Sequence, residues 1–142
     1  MKDKQFPILL IEDDPADVAI LRQVFQELSI ENPLQVAGSG QEAWSFLQEQ
    51  LDSASAEIPK IILLDLSLPD KEGLALLKQL RQEPALRSSI VYVITSSSSE
   101  QDIAQAYAFH VAGYFVKPSQ YEAFREMVHT LHSFWSLIEL PN

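Results

Sequence analysis

The chain has 142 residues, of which 46% are hydrophobic and 21% are charged, the proportions of an ordinary globular protein. Ten basic against twenty acidic residues give a formal net charge of −10, which argues against a nucleic-acid partner because phosphate contact needs a basic surface. The absence of cysteine excludes disulfides and thiolate metal sites, and it fits a reducing, cytoplasmic location. The apolar run at residues 8–11 is too short for a signal peptide or a membrane span.

Apolar runs that match buried strands alternate with helical patterns along the chain. These runs lie at residues 7–11, 34–38, 61–65, 90–95 and 113–117. They are continuously apolar rather than alternating, which is typical of strands covered on both faces. The length of the chain and the alternation of strands and helices predict a single α/β domain, residues 1–142. Crossovers between its parallel strands are expected to be right-handed. Its core is expected to be a doubly wound, five-stranded parallel sheet with five helices.

Local signals mark where several helices begin. Asp14 followed by Pro15 is typical of an N-cap and the first helical position. Gly73 is expected to open the third helix. Two serine–acid pairs at the spacing of a capping box predict the starts of the last two helices, namely Ser99–Asp102 and Ser119–Glu122. The predicted apolar face of the fourth helix consists of Ile103, Ala104, Tyr107 and Val111.

Polar side chains follow four of the five predicted strands at their carboxyl ends, where open α/β sheets form their functional crevice. In chain order they are Glu12, Asp13, Asp65, Thr95, Ser96, Lys117 and Pro118. Any one of them taken alone is more often a cap or turn residue. Complementary groups at four strand ends are much harder to obtain by chance, so the set indicates a functional site.

The chemistry of this set favours a metal-assisted phosphoryl acceptor. Carboxylates crowded at one sheet edge repel each other, and a hard divalent cation, Mg²⁺ first, relieves that repulsion. We predict Asp13 and Asp65 as direct ligands, with Glu12 acting through water. Asp65 can then attack a phosphoryl group to give an acyl phosphate. Lys117 and the Thr95 hydroxyl can hold the new phosphoryl oxygens.

The stretches LLIEDD, LLDLSLPDKEG, VYVITSS and GYFVKP resemble the receiver domains of two-component response regulators. The resemblance covers essentially the whole chain and implies the flavodoxin-like receiver fold. It implies Asp65 as the phosphoacceptor and Glu12 and Asp13 as the acidic pair of the Mg²⁺ site. It also implies that the backbone carbonyl of Ser67 completes the metal shell.

The same resemblance implies a conformational switch. Thr95 would move toward the phosphoryl group while Tyr114, at the aromatic switch position, swings inward, with Ser96 supporting the site. Lys117 would bind the phosphoryl oxygens. Pro118, which follows that lysine, is usually preceded by a cis peptide bond in the family.

Two further stretches, AYAFHVAGYFVKPS and SFWSLIELP, resemble the small regulators paired with cyanobacterial phytochromes. This implies a sensor histidine kinase as partner, of the bacteriophytochrome type, and a homodimer. Residues 134–142 form an apolar C-terminal extension that needs a surface to bury against. The side chains predicted to make the dimer contact are Phe134, Trp135, Leu137 and Ile138. Docking of the extension onto the last helix of its own chain is the alternative.

The predicted function is a phosphorylated signalling switch that acts through protein contacts and catalyses only its own phosphotransfer and dephosphorylation. The alternative is a non-phosphorylated pseudo-receiver that binds protein, which the intact acidic, hydroxyl and lysine set disfavours. A small-substrate phosphatase with an aspartyl nucleophile is a third reading. The place of Asp65 on the third strand, with Ser67 two residues on, argues against it. His129 and His132 offer too few ligands for a metal site.

Overall fold

The computed structural model describes residues 5–54 and 58–141. Residues 1–4, 55–57 and 142, which belong to the predicted domain and its C-terminal extension, lie outside the described residues. The five strands are β1 Ile8–Ile11, β2 Leu34–Ala37, β3 Ile61–Leu64, β4 Ile90–Thr95 and β5 Gly113–Val116. They pair in parallel in the order β2-β1-β3-β4-β5, which confirms the predicted sheet.

Helices connect successive strands, and a further helix follows β5. They are α1 Pro15–Glu27, α2 Gly40–Asp52, α3 Glu72–Gln82, α4 Glu100–Ala108 and α5 Tyr121–Leu137, with a short 3-10 helix at Pro69–Lys71. Over the described part of the chain, none is long and apolar enough to cross a lipid bilayer.

Of the four predicted helix starts, those of α1 and α4 are confirmed and that of α5 is wrong. The start of α3 is one residue off, because this helix begins at Glu72 and not at Gly73. Asp14 caps α1 by accepting a hydrogen bond from the Ala16 N–H at 2.9 Å. Ser99 caps α4 through the Asp102 N–H at 3.3 Å. The predicted Ser119–Glu122 box does not form, because α5 begins two residues after Ser119 and the N-cap is Gln120, which makes no side-chain cap bond.

The two faces of the sheet carry separate apolar cores because side chains alternate along each strand. In β1, Leu9 and Ile11 pack with α2, α3 and α4, whereas Ile8 and Leu10 pack with α1 and α5. All four side chains are buried. Burying an aliphatic side chain of this size contributes about 1.5–3 kcal/mol, so both faces of the sheet need helical cover. This explains why the strand sequences are continuously apolar.

The apolar face of α4 differs from the predicted one. Ala106 is fully buried, whereas Tyr107 is 49% exposed and Ala104 is exposed. The small Ala106 side chain lets α4 approach its neighbours closely, and a tyrosine ring would not fit at that contact. Val111 is buried and Ile103 is half-buried, as predicted, so the error lies in placing Ala104 and Tyr107 on the buried face and leaving out Ala106.

Arg81 ties the end of α3 to the end of α4. Its guanidinium group donates hydrogen bonds to the backbone oxygens of Phe109 at 2.7 Å and His110 at 3.0 Å, just after α4. It also donates to the backbone oxygens of Arg87 at 3.0 Å and Ser89 at 2.9 Å, in the loop before β4. One side chain therefore satisfies backbone carbonyls from two segments, and the cation lies where the helix dipole of α4 is negative.

Some side chains at the end of α5 and after it pack against the apolar core of their own chain. Trp135 is fully buried, with its ring 6.4 Å from that of Phe25, so its predicted place in a dimer contact is wrong. The helical period directs Trp135 toward the sheet and leaves Phe134 and Leu137 exposed, by 52% and 83%. Leu140 packs against the same core as Trp135. Part of the extension is therefore covered within the chain.

Candidate functional site

The predicted site residues come together at the carboxyl edge of the sheet. Glu12 and Asp13 follow β1, Asp65 follows β3, Thr95 ends β4 and Lys117 follows β5. These four strands are adjacent in the sheet, and β2 stands outside them. Glu12 and Asp65 are each 5% exposed and Thr95 is fully buried, whereas Asp13 is exposed. The site thus consists of buried polar side chains and is accessible to solvent beside Asp13.

Three carboxylates meet at the centre of this edge. One oxygen each from Glu12, Asp13 and Asp65 lies within 4.8 Å of the others. The backbone hydrogen bonds of the sheet continue one residue past β1 and β3. The backbone N–H of Glu12 donates to the Ala37 carbonyl oxygen at 3.0 Å, and that of Asp65 donates to the Ile11 carbonyl oxygen at 3.1 Å. The backbone of both acids is therefore fixed by the sheet. An all-oxygen donor set of this size fits a hard divalent cation.

Within the described residues, no other group of histidines or acids has this geometry. In particular, His129 and His132 do not join an acidic side chain to form a ligand set.

The ammonium group of Lys117 lies among carboxylates. Its Nζ donates to Glu12 Oε1 at 2.5 Å, to Asp17 Oδ2 at 2.9 Å and to Asp65 Oδ2 at 3.1 Å. The backbone N–H of Lys117 donates to the backbone oxygen of Thr95 at 2.7 Å. This bond fixes the main chain from which the lysine side chain extends. Burial alone would lower the pKa of Lys117, but its hydrogen bonds to Glu12 and Asp17 and the charge of Asp65 raise it, so the side chain stays charged.

The two buried carboxyl groups have opposite pKa shifts. Burial, together with the charge of Asp65, raises the pKa of Glu12 from 4.5 to about 7, although Lys117 opposes this. Burial acts in the same direction on Asp65, but the Ser67 N–H, the Thr95 hydroxyl and Lys117 outweigh it and lower the pKa of Asp65 below its usual value. Asp65 is therefore an ionised carboxylate near neutral pH, as a nucleophile must be.

Hydroxyl groups connect Asp65 to the end of β4. The Ser67 N–H donates to Asp65 Oδ1 at 2.8 Å, and the Ser67 Oγ is 2.8 Å from the Thr95 Oγ1. Tyr114 is partly buried, and its hydroxyl donates to the Ser97 backbone oxygen at 2.9 Å. Ser96 lies exposed directly after β4. The resemblance implied a role only for the backbone carbonyl of Ser67, so the contact between its hydroxyl and that of Thr95 is new.

Two further details of the site differ from the sequence-based picture. The bond before Pro118 is trans, since the described residues contain no cis peptide bond; trans is the intrinsically preferred form even before proline. Asp17, which contacts Lys117, was not among the predicted site residues. Its place in the first turn of α1, four residues after Asp13, puts it near this edge of the sheet, but that spacing alone does not show that it reaches Lys117.

Helix α3 packs directly behind Asp65. A methyl group at Gly73 would lie 2.9 Å from the backbone oxygen of Asp65 and 3.1 Å from the Cα of Leu66. The turn that brings α3 to this position includes Asp70 and Lys71, both with φ of 56°. Only a residue without a side chain fits at this contact, so Gly73 sets the distance between α3 and the end of β3.

The sheet order, the acidic cluster and the lysine together define a known class of protein. Residues 8–129 match the sequence profile of the response regulator receiver domain, and the chain belongs to this family. Response regulator Rcp1 of Synechocystis sp. is 36% identical to it, and the alignment covers 99% of each chain. The family predicted from the sequence is therefore confirmed.

Solved structures agree with this assignment. The Mn²⁺-bound form of response regulator Rcp1 has a TM-score of 0.85 at 34% identity, covering 97% of this chain and 99% of that one. The phosphorylated cyanobacterial phytochrome response regulator RcpA has a TM-score of 0.86 at 30% identity, covering 96% and 98%. The chain is thus a receiver domain of a two-component response regulator with the flavodoxin-like fold, similar to Rcp1 and RcpA.

Proposed function

We propose that this receiver domain accepts a phosphoryl group on Asp65 from the phosphohistidine of a sensor histidine kinase. An Asp65 carboxylate oxygen attacks the phosphorus, the P–N bond breaks, and the histidine nitrogen leaves with the electron pair while a P–O bond to Asp65 forms. The observation that carries the proposal is the pairing of an ionised, buried Asp65 with the charged Lys117, 3.1 Å away. The lysine is in place to hold the phosphoryl oxygens.

The proposed cofactor is Mg²⁺, held by Glu12, Asp13, Asp65 and the backbone carbonyl of Ser67. The acidic cluster supports this, and the Rcp1 structure named above is a Mn²⁺-bound form, which shows that a relative takes a divalent cation. When bound, the cation supplies positive charge that offsets the charge of the incoming phosphoryl group. Mg²⁺ and Mn²⁺ both favour oxygen ligands, so the same carboxylates suit either ion.

Phosphorylation is proposed to act through Thr95 and Tyr114, with Ser96 and Pro118 supporting the site. The Thr95 hydroxyl bonds to Ser67 and would have to leave it to reach a phosphoryl oxygen. Two states that differ by only a few kcal/mol can be exchanged by one such charged group. The proposed catalysis is limited to the phosphorylation and dephosphorylation of Asp65 itself.

The proposed input is a phytochrome-type kinase in a cytoplasmic light-signalling pathway. The similarity to Rcp1 over nearly its full length and to the cyanobacterial phytochrome response regulator RcpA supports this. The net charge of −10 argues against nucleic acid as the output partner. Output is therefore proposed to pass through protein contacts of this domain, residues 1–142.

A homodimer is proposed to form through the exposed part of the C-terminal extension, residues 134–142. Phe134 and Leu137 are 52% and 83% exposed, and Ile138 next to them is partly buried. Large apolar side chains grouped in this way are typical of a protein contact. Trp135 contributes only indirectly, by anchoring α5 in the core.

The test of the phosphoacceptor is the intact mass after incubation with acetyl phosphate and Mg²⁺, with Asp65→Asn run in parallel. We expect one phosphoryl adduct on the parent protein and none on Asp65→Asn. Omission of Mg²⁺ should abolish the adduct. A parent protein that binds Mg²⁺ but takes no phosphoryl group would contradict the proposal and favour the pseudo-receiver.

A further inference from the structure

We infer that Asp17 restrains phosphoryl transfer, because it holds the Lys117 ammonium in an ion pair that a phosphoryl group must displace. The inference rests on the proposed function and extends it to a residue outside the acidic and hydroxyl set. The starting observation is the 2.9 Å contact between Lys117 Nζ and Asp17 Oδ2.

Lys117 has no donor left for a phosphoryl oxygen. A lysine ammonium carries three N–H donors. All three have carboxylate acceptors in this structure, from Glu12, Asp17 and Asp65. Lys117 must therefore release one of these carboxylates before it can bind a phosphoryl oxygen.

The three acceptors differ in how easily they can be released. Glu12 and Asp65 are each 5% exposed and their backbones are fixed by the sheet, so Lys117 keeps its place between them while its contact with a phosphoryl oxygen forms. The Asp17 side chain is 37% exposed and can return to water. An ion pair of that exposure is weak, so the Lys117–Asp17 contact is the one that breaks.

Asp17 therefore opposes phosphorylation in two ways. It competes with the phosphoryl oxygens for a Lys117 donor, and its negative charge repels the incoming phosphoryl donor. Replacement by asparagine keeps the shape of the side chain and removes the charge. Replacement by glutamate keeps the charge on a longer side chain that can still reach Lys117.

The experiment measures the rate of Asp65 phosphorylation with acetyl phosphate and saturating Mg²⁺. In this reaction an Asp65 oxygen attacks the phosphorus, and acetate leaves with the electron pair of the broken P–O bond. We expect Asp17→Asn to react about three- to fivefold faster than the parent, as the loss of one weak competing ion pair implies. Asp17→Glu should react at close to the parent rate.

Asp14→Asn is the matched control. It removes the charge of an exposed acid three residues away that is not among the acceptors of the Lys117 ammonium. Asp14 caps α1, a role that asparagine also fills. Its rate should equal that of the parent. An equal acceleration by Asp14→Asn would overturn the inference, since the effect would then be one of general charge.

A second readout reports on the Lys117 contact itself. In nitrogen-resolved NMR, the Lys117 ammonium protons should exchange with water faster in Asp17→Asn than in the parent or in Asp17→Glu. If the parent is phosphorylated but Asp17→Asn shows the same phosphorylation rate and the same exchange of the Lys117 ammonium protons, this inference is overturned while the proposed function stands. Absence of any adduct on the parent would overturn the proposed function and this inference with it.

Discussion

At the residue scale, the raised pKa of Glu12 links the metal site to pH. This pKa is about 7, above the ordinary 4.5, so Glu12 holds a proton below neutral pH and must lose it before it can bind a cation. Mg²⁺ affinity is therefore expected to rise with pH and to be about tenfold weaker at pH 6 than at pH 8, as one proton with this pKa requires. Calorimetric titration of Mg²⁺ at several pH values measures this.

Glu12→Gln supplies the control for that titration. Its Mg²⁺ affinity should be lower than that of the parent at pH 8, and it should change much less between pH 6 and pH 8. A parent affinity that is constant over this range would mean that Glu12 is already ionised, contrary to the expected direction.

Most of the site could be predicted because its residues follow strands. A run such as IILLD places its aspartate at a known edge of a parallel sheet, and this is enough to identify Asp65. Asp17 and the Ser67 hydroxyl could not be found in the same way. Their contacts depend on the angle at which α1 and the loop after β3 approach the site, and sequence spacing does not fix those angles.

At the element scale, Gly73 controls the distance between α3 and Asp65. Gly73→Ala would place a methyl group 2.9 Å from the Asp65 oxygen, so α3 or the end of β3 must shift. We expect a loss of about 1–3 kcal/mol in the free energy of unfolding, as overpacking usually costs. Urea denaturation measures this loss, and mass spectrometry should show slower phosphorylation of Asp65.

Gly38→Ala is the matched control for that substitution. A methyl group at Gly38 would meet only the end of the Glu42 side chain, at 3.4 Å, which is an ordinary contact. Its stability and phosphorylation rate should stay near those of the parent. Equal effects of the two substitutions would show that the close contact at Gly73 is not the cause.

Arg81 is expected to be the main tie between α3 and α4. Arg81→Met removes hydrogen bonds to backbone oxygens of Phe109, His110, Arg87 and Ser89 while keeping an apolar side chain. Because these bonds are charge-assisted and those to Phe109 and Ser89 are partly buried, we expect a loss of about 2–4 kcal/mol in the free energy of unfolding. Arg87→Met, at an exposed arginine, should change it by less than about 0.5 kcal/mol. Urea denaturation of both variants gives the comparison, and similar values would contradict the assigned role of Arg81.

Element boundaries were predicted more accurately than helix faces. The predicted range 90–95 is β4 itself, because a long apolar run between polar residues has clear ends. The face of α4 was placed on Tyr107 instead of Ala106. Small alanines on several sides of this helix give a weak periodic signal, and the choice among them is made by packing against the rest of the fold.

At the scale of the whole molecule, the proposed dimer can be tested through Leu137. Leu137→Glu places a charge in the expected interface and should weaken self-association at least about tenfold. Because the Leu137 side chain is 83% exposed, the substitution should leave the fold of the protomer unchanged. Light scattering at micromolar concentrations measures the mass. A monomeric parent would contradict the dimer. If Tyr107→Glu dissociates the dimer and Leu137→Glu does not, the dimer contact lies on α4 and not on the C-terminal extension.

The Lys117–Glu12 contact joins residues 105 positions apart, because Lys117 follows β5 and Glu12 follows β1. Contacts between residues so distant in the chain carry a large loop-closure cost, so they form only when most of the sheet is already in place. The charge balance of the acidic cluster is thus completed by the assembled sheet and not by any short segment of the chain.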